Sequence, residues 1–87
     1  MLRRHEDRLK EKLEVLQAKG YVFVEFYELR LWHELERLGK SVWRDLRDRF
    51  DELSGRENSK ISLIETENGV LVIDISRLTL LTDRIGE

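Results

Sequence analysis

The chain has 87 residues, of which 40% are hydrophobic and 39% charged, with a net charge of −2 and no cysteine. That length supplies one small core rather than two domains, and the composition excludes both a membrane-embedded and a disordered chain. Without cysteine, neither disulfides nor thiolate-held metal can staple the fold, so packing must hold it.

No apolar run approaches the roughly 18 residues of a spanning helix, and the N-terminal "MLRRHEDRLKEK" lacks the apolar centre of a signal peptide. A cytoplasmic location without membrane insertion is expected. The absence of proline and the dense Arg/Glu/Asp content fit a helix-rich surface laced with ion pairs, as in a heat-adapted source. Charge is unevenly spread: residues 1–20 carry Arg3, Arg4, Arg8, Lys10, Lys12 and Lys19 against Glu6, Asp7, Glu11 and Glu14, and later segments are slightly acidic. Any attraction for an anion is therefore local rather than a field of the whole chain.

Leu9, Leu13 and Leu16 recur at helical spacing, with Leu2 two turns earlier, and Gly20 is a stop; the spacing predicts a first helix over 3–19. "YVFVEFY" crowds β-branched and aromatic residues as a short strand does, and Tyr21, Phe23 and Phe26 read as core. In "YELRLWHELERLG" the period lengthens: Tyr27, Leu31, Leu35 and Leu38 form a stripe with Trp32 beside it, predicting a second helix ended by Gly39. Ser41 is the expected N-cap of a third helix that buries Val42, Leu46, Phe50 and Leu53 and stops at Gly55. "GRENSK" reads as loop. "ISLIE" and "VLVIDI" flank "TENG", where Asn68 and Gly69 suit a tight hairpin turn with positive φ. Pairing Glu67 with Val70 would set Ile64 opposite Ile73, with Leu71 and Ile75 on the same helix-facing side. The tail "SRLTLLTDRIGE" could be a last helical turn or a further strand.

This order resembles that of winged helix-turn-helix domains. The resemblance spans nearly the whole chain and rests on "YVFVEFYELRLWHELERLGKSVWRDLRDRF" and "KISLIETENGVLVIDISRL"; it is one of pattern, without a diagnostic motif. It implies a single α+β domain over 1–87, with three helices, a short strand and a C-terminal β-hairpin wing. One departure is visible: Leu46 and Phe50 come one position later after the turn than in the commoner pattern, so either the turn is longer or Val42 takes the inner role.

The resemblance further implies that the third helix enters the major groove of duplex DNA by its N-terminal residues, with the wing on the adjacent backbone. Carried onto this sequence, the contacts are Lys40, Ser41, Arg44 and Arg47, with Arg49 and Arg56 as flanking phosphate contacts and Arg3 and Arg4 at the periphery. The implied use is a small, dimeric transcriptional regulator. A symmetric dimer through helix 1 would bury the Leu2/Leu9/Leu13/Leu16 stripe; plain intramolecular packing would bury it equally.

The same scaffold serves protein interaction in replication, chromosome-segregation and cell-division assemblies, and two features point that way. "GKSVWRDLRDRFDEL" carries four acids against three arginines, and the wing tip holds Glu65 and Glu67. Carboxylates near phosphate are repelled. Arg44 with Asp48 and Arg47 with Asp51 also stand at i,i+4, so the helix face could be nothing more than solvated ion pairs worth about 0.2–0.5 kcal/mol each.

His5 and His33 sit in no ligand-spaced cluster, and no phosphate loop, nucleophile elbow or acid/base pair is present. No enzyme activity, metal or cofactor is expected. Trp32 and Trp43 could stack on single-stranded bases or serve the core or a dimer contact.

Overall fold

The computed structural model describes residues 1–34 and 39–86. Among these residues, four α-helices and one three-stranded antiparallel sheet follow in the order α1 (Arg3–Lys19), β1 (Tyr21–Glu25), α2 (Phe26–His33), α3 (Lys40–Ser54), β2 (Ile61–Glu65), β3 (Gly69–Asp74) and α4 (Leu81–Ile85). A single 3-10 turn, Ile75–Arg77, separates β3 from the last helix. The sheet order is β1-β3-β2. The fold is thus a small α+β structure with one more helix than the sequence pattern suggested, the extra one lying in the C-terminal stretch.

α1 ends where Gly20 takes the left-handed conformation and its amide returns to the Leu16 carbonyl at 2.7 Å, which satisfies one of the last open carbonyls of the helix. The Gly20 carbonyl then accepts the Asp74 amide at 2.9 Å. Leu9, Leu13 and Leu16 are buried in the chain's own core, whereas Leu2 is exposed. Leu9, Leu13 and Leu16 are therefore spent within the chain's own core, and of the stripe Leu2 alone stays outside it.

β1 alternates, with Val22 and Val24 inward. Tyr21 and Phe23, expected in the core, point to the outer face and are exposed, because successive strand residues face opposite sides. α2 starts directly from β1, and the Glu28 side chain accepts the Glu25 amide at 3.3 Å, as in a capping box. This helix buries Leu29 and Trp32, with Phe26 packed beside them. Tyr27 and Leu31 face outward; the buried stripe is Phe26/Leu29/Trp32, one residue out of phase with the expected one. The helix closes at Glu34, whose φ is 54°, well before Gly39. The expected Leu35 and Leu38 positions lie outside the described residues.

α3 is capped by Gly39 rather than Ser41: the Gly39 carbonyl accepts the Val42 amide at 3.0 Å, so Ser41 already lies in the first turn. Val42, Leu46 and Phe50 are buried and Leu53 packs against them. Val42, only 1% exposed, takes the inner role that the late Leu46 left open.

The hairpin differs in register from the expected pairing. Glu65 pairs with Val70, Ile64 with Leu71 and Leu63 with Val72, so Glu67 and Asn68 occupy the tip. The Thr66 amide donates to the Gly69 carbonyl at 2.8 Å, and the Gly69 amide donates to the Thr66 hydroxyl at 3.1 Å. Neither Asn68 nor Gly69 takes a positive φ. The helix-facing side is Ile61, Leu63, Val70 and Val72; Ile64, Leu71 and Ile73 lie on the outer face with Tyr21 and Phe23. Three helices thus cover one face of the sheet, and the other remains open.

Candidate functional site

Between the N-terminal half of α3 and the β2–β3 hairpin runs a groove of about 320 Å³. Its apolar floor is Trp43, Leu46, Ile61, Leu63 and Val72, and its rim carries Lys40, Arg44 and Arg47. No carboxylate lines it. The pattern follows from helix geometry: residues 43 and 46 turn toward the sheet, while 40, 44 and 47 share the adjoining exposed strip. Trp43 is half-buried against the core, whereas Trp32 lies fully inside it and offers no stacking surface.

The start of α3 adds positive potential. Its first turn holds no acid, and Gly39 offers no side chain to cap the open amides, which carry the partial positive charge of a helix N-terminus. Lys40 and Ser41 are exposed there.

Two acids of α3, Asp45 and Asp51, are committed elsewhere. Asp45 accepts from Arg49 Nε at 2.9 Å and faces His33 Nε2 at 2.9 Å, while His33 Nδ1 meets the Leu29 carbonyl at 3.0 Å. This places α2 against α3. Asp51 accepts the Ser59 amide at 3.0 Å; Ser59 first, then Asn58 and the charge of Arg47, hold its carboxyl below the usual range despite partial burial. Asp48 contacts Arg47 at 3.3 Å. The expected i,i+4 pairs of Arg44 with Asp48 and Arg47 with Asp51 are not formed as ion pairs; Arg47–Asp48 and Arg49–Asp45 stand in their place.

Two of the arginines singled out in the sequence are also engaged. Arg49 reaches Asp45 and, at 4.0 Å, Glu6 of α1. Arg56 donates to Asp74 at 2.7 Å and to the Ser76 hydroxyl at 3.4 Å, and its guanidinium sits 5.1 Å from the Phe50 ring centre. Arg3 and Arg4 are exposed at the start of α1 and do not line the groove. The structure therefore brings Lys40, Arg44 and Arg47 together with Ser41 nearby, and holds Arg49 and Arg56 in internal contacts.

A second crevice of about 330 Å³ lies between α1 and α3. Its charged walls are mixed, with Glu6, Asp7 and Glu52 against Lys10 and Arg49, and present no single sign to a ligand. No cluster of three or more His, Cys, Asp or Glu side chains capable of holding a metal occurs among the described residues.

Sequence reading missed the groove floor and the Arg56–Asp74 pair. The second carried a signal: in "GVLVID" the inward positions are 70, 72 and 74, so Asp74 had to be a buried acid needing a cation. No family model, curated protein or solved structure matches the chain.

Proposed function

We propose that the chain is a winged-helix protein that binds duplex DNA, with the N-terminal half of α3 as the reading helix and the β2–β3 hairpin as the wing. The element order α1-β1-α2-α3-β2-β3 and the sheet order β1-β3-β2 support this reading, because they set a hairpin beside the third helix as that architecture requires. The observation that carries it is the acid-free groove with Lys40, Arg44 and Arg47 on its rim, while Asp45 and Asp51 are tied down within the fold. Arginines so placed suit a guanine edge or a phosphate, and the open amides at the start of α3 suit a phosphate. The apolar floor suits the sugar edge of a backbone seated on the rim.

The test is a fluorescence titration of the protein with duplex DNA at two salt concentrations, with Arg44→Ala/Arg47→Ala alongside. Three phosphate contacts predict a log–log salt slope of about −3, and the double variant should lose most of the binding. No binding at low salt would overturn the reading.

A second reading, a winged helix used to hold another protein, is favoured by one feature. Glu65 and Glu67 stand exposed at the hairpin tip, where a DNA-bound wing would meet phosphate. Under this reading the groove would take a partner's acidic, apolar segment, and the titration with DNA would be flat.

A further inference from the structure

We propose that a second copy of this chain covers the outer face of the sheet, and that what it lays there is its own C-terminal segment, residues 78–85. Two surfaces lack a partner among the described residues, and each has the chemistry the other needs.

The first is the outer sheet face. Across the three strands, Phe23, Leu71 and Ile64 form one row and Tyr21, Ile73 and Ser62 the next. Neither row holds a charge. An antiparallel sheet with one solvated face ordinarily places polar residues there, yet Tyr21 and Ile64 are each 52% exposed and Phe23 39%. Neighbouring strands lie about 4.8 Å apart, so these side chains make one continuous apolar patch.

The second is the segment after β3. Leu78, Leu80, Leu81 and Ile85 are between 58% and 75% exposed, and α4 buries no residue at all. A helix of five residues does not hold itself in water; its formation calls for a surface to lie on. The departure of the segment is set: Arg77 Nη1 donates to the Gln17 and Ala18 carbonyls at 3.1 Å each, at the end of α1. The radius of gyration is 14.0 Å, against roughly 12 Å for a compact chain of this length.

A two-fold arrangement satisfies both surfaces at once, since each copy gives one segment and receives one. At roughly 100 Å² for each exposed large apolar side chain withdrawn from water, the two segments and two faces bury on the order of 1,400 Å², within the range of a stable association. The inference does not depend on DNA binding, and its test contains no DNA.

The chain has no cysteine, so introduced ones report cleanly. Light scattering of the whole chain should give twice its 10.5 kDa mass at tens of micromolar. Leu81→Asp/Ile85→Asp and, separately, Ile64→Lys should halve that mass and make the thermal midpoint independent of protein concentration, while a cooperative melt shows that the chain still folds, because all three sites are exposed. Mixing an Ile64→Cys chain with a Leu81→Cys chain under mild oxidation should give the mixed disulfide in preference to either self-pair. A monomeric parent would overturn the proposal, as would a dimer that survives both sets of substitutions, or Leu81→Cys chains that pair mainly with themselves.

Discussion

The Arg56 guanidinium donates to the Asp74 carboxylate at 2.7 Å and so joins the segment after α3 to the end of β3. Asp74 is 2% exposed and also accepts the Ser76 hydroxyl at 2.7 Å and the Ser76 amide at 3.1 Å. Removing the cation would leave a buried carboxylate with only serine donors. Arg56→Ala should therefore lower unfolding stability by about 2–3 kcal/mol, less than the loss on breaking a fully buried pair because the arginine is partly solvated. Arg56→Lys should recover only part of this, since an ammonium neither forks onto the carboxylate nor stacks on Phe50 in the same way. Urea unfolding of the three proteins checks it; equal midpoints for Ala and wild type would show the pair to be idle.

The same carboxylate makes stability depend on acid. Burial by itself would raise the Asp74 carboxyl, but the hydrogen bonds from Arg56 and Ser76 and the charge of Arg56 outweigh it and lower it. A carboxyl lowered by folding stabilises the native state above its unfolded value of about 3.9, and the contribution is lost as pH falls through the lowered native value. Asp74→Asn should therefore be less stable than wild type at neutral pH, and the gap should narrow as pH is taken below that unfolded value. Unfolding curves across that range read it out, and a constant gap would count against the assignment.

Gly69 illustrates a glycine required by close approach rather than by backbone conformation. A Cβ there would strike the Val24 carbonyl oxygen and come within 2.9 Å of Glu25 Cα, both backbone atoms of β1 that cannot swing aside. Gly69→Ala should cost about 1–3 kcal/mol, the usual range for overpacking, by prising β1 from β3. A melt of the variant within a degree of the parent would show that the strands separate without cost.

Much of the architecture was legible in "LxxxLxxL", "VxxxLxxxF" and the glycine stops, because a helix with one buried stripe writes its period into the sequence. Faces were harder to read. In "YVFVEFY" every residue is apolar or aromatic except Glu25, so alternation could not say which half turned inward, and the larger side chains went outward. In α2 both Tyr27/Leu31 and Phe26/Leu29/Trp32 have helical spacing, and only packing against α1 and the sheet separates them. The hairpin register turned on whether the Thr66 hydroxyl or a positive-φ glycine closed the turn; the hydroxyl did. For the site, the three rim cations came from one helix and were readable as a strip. The groove beside them was not, since it takes Ile61, Leu63 and Val72, from strands distant in sequence, to complete it.

Asp48 is the one acid of α3 whose described contact is with a rim cation, lying 3.3 Å from Arg47 Nη2 on an exposed surface. Under the DNA-binding reading it acts against binding twice, by occupying Arg47 and by placing a negative charge near phosphate. Asp48→Asn removes the charge while keeping the shape, and exposed pairs of this kind contribute little to stability, so the fold should be unaffected. The variant should bind duplex DNA more tightly at low salt, and its log–log salt slope should steepen by up to about 0.9 as Arg47 becomes available to a phosphate. Arg47→Ala in the same background should erase that gain, whereas a gain that persists without Arg47 would mean that Asp48 acts through long-range repulsion alone. If instead the groove holds an acidic protein segment, Asp48→Asn should strengthen that association with no DNA affinity appearing, so the two readings diverge on one purified variant.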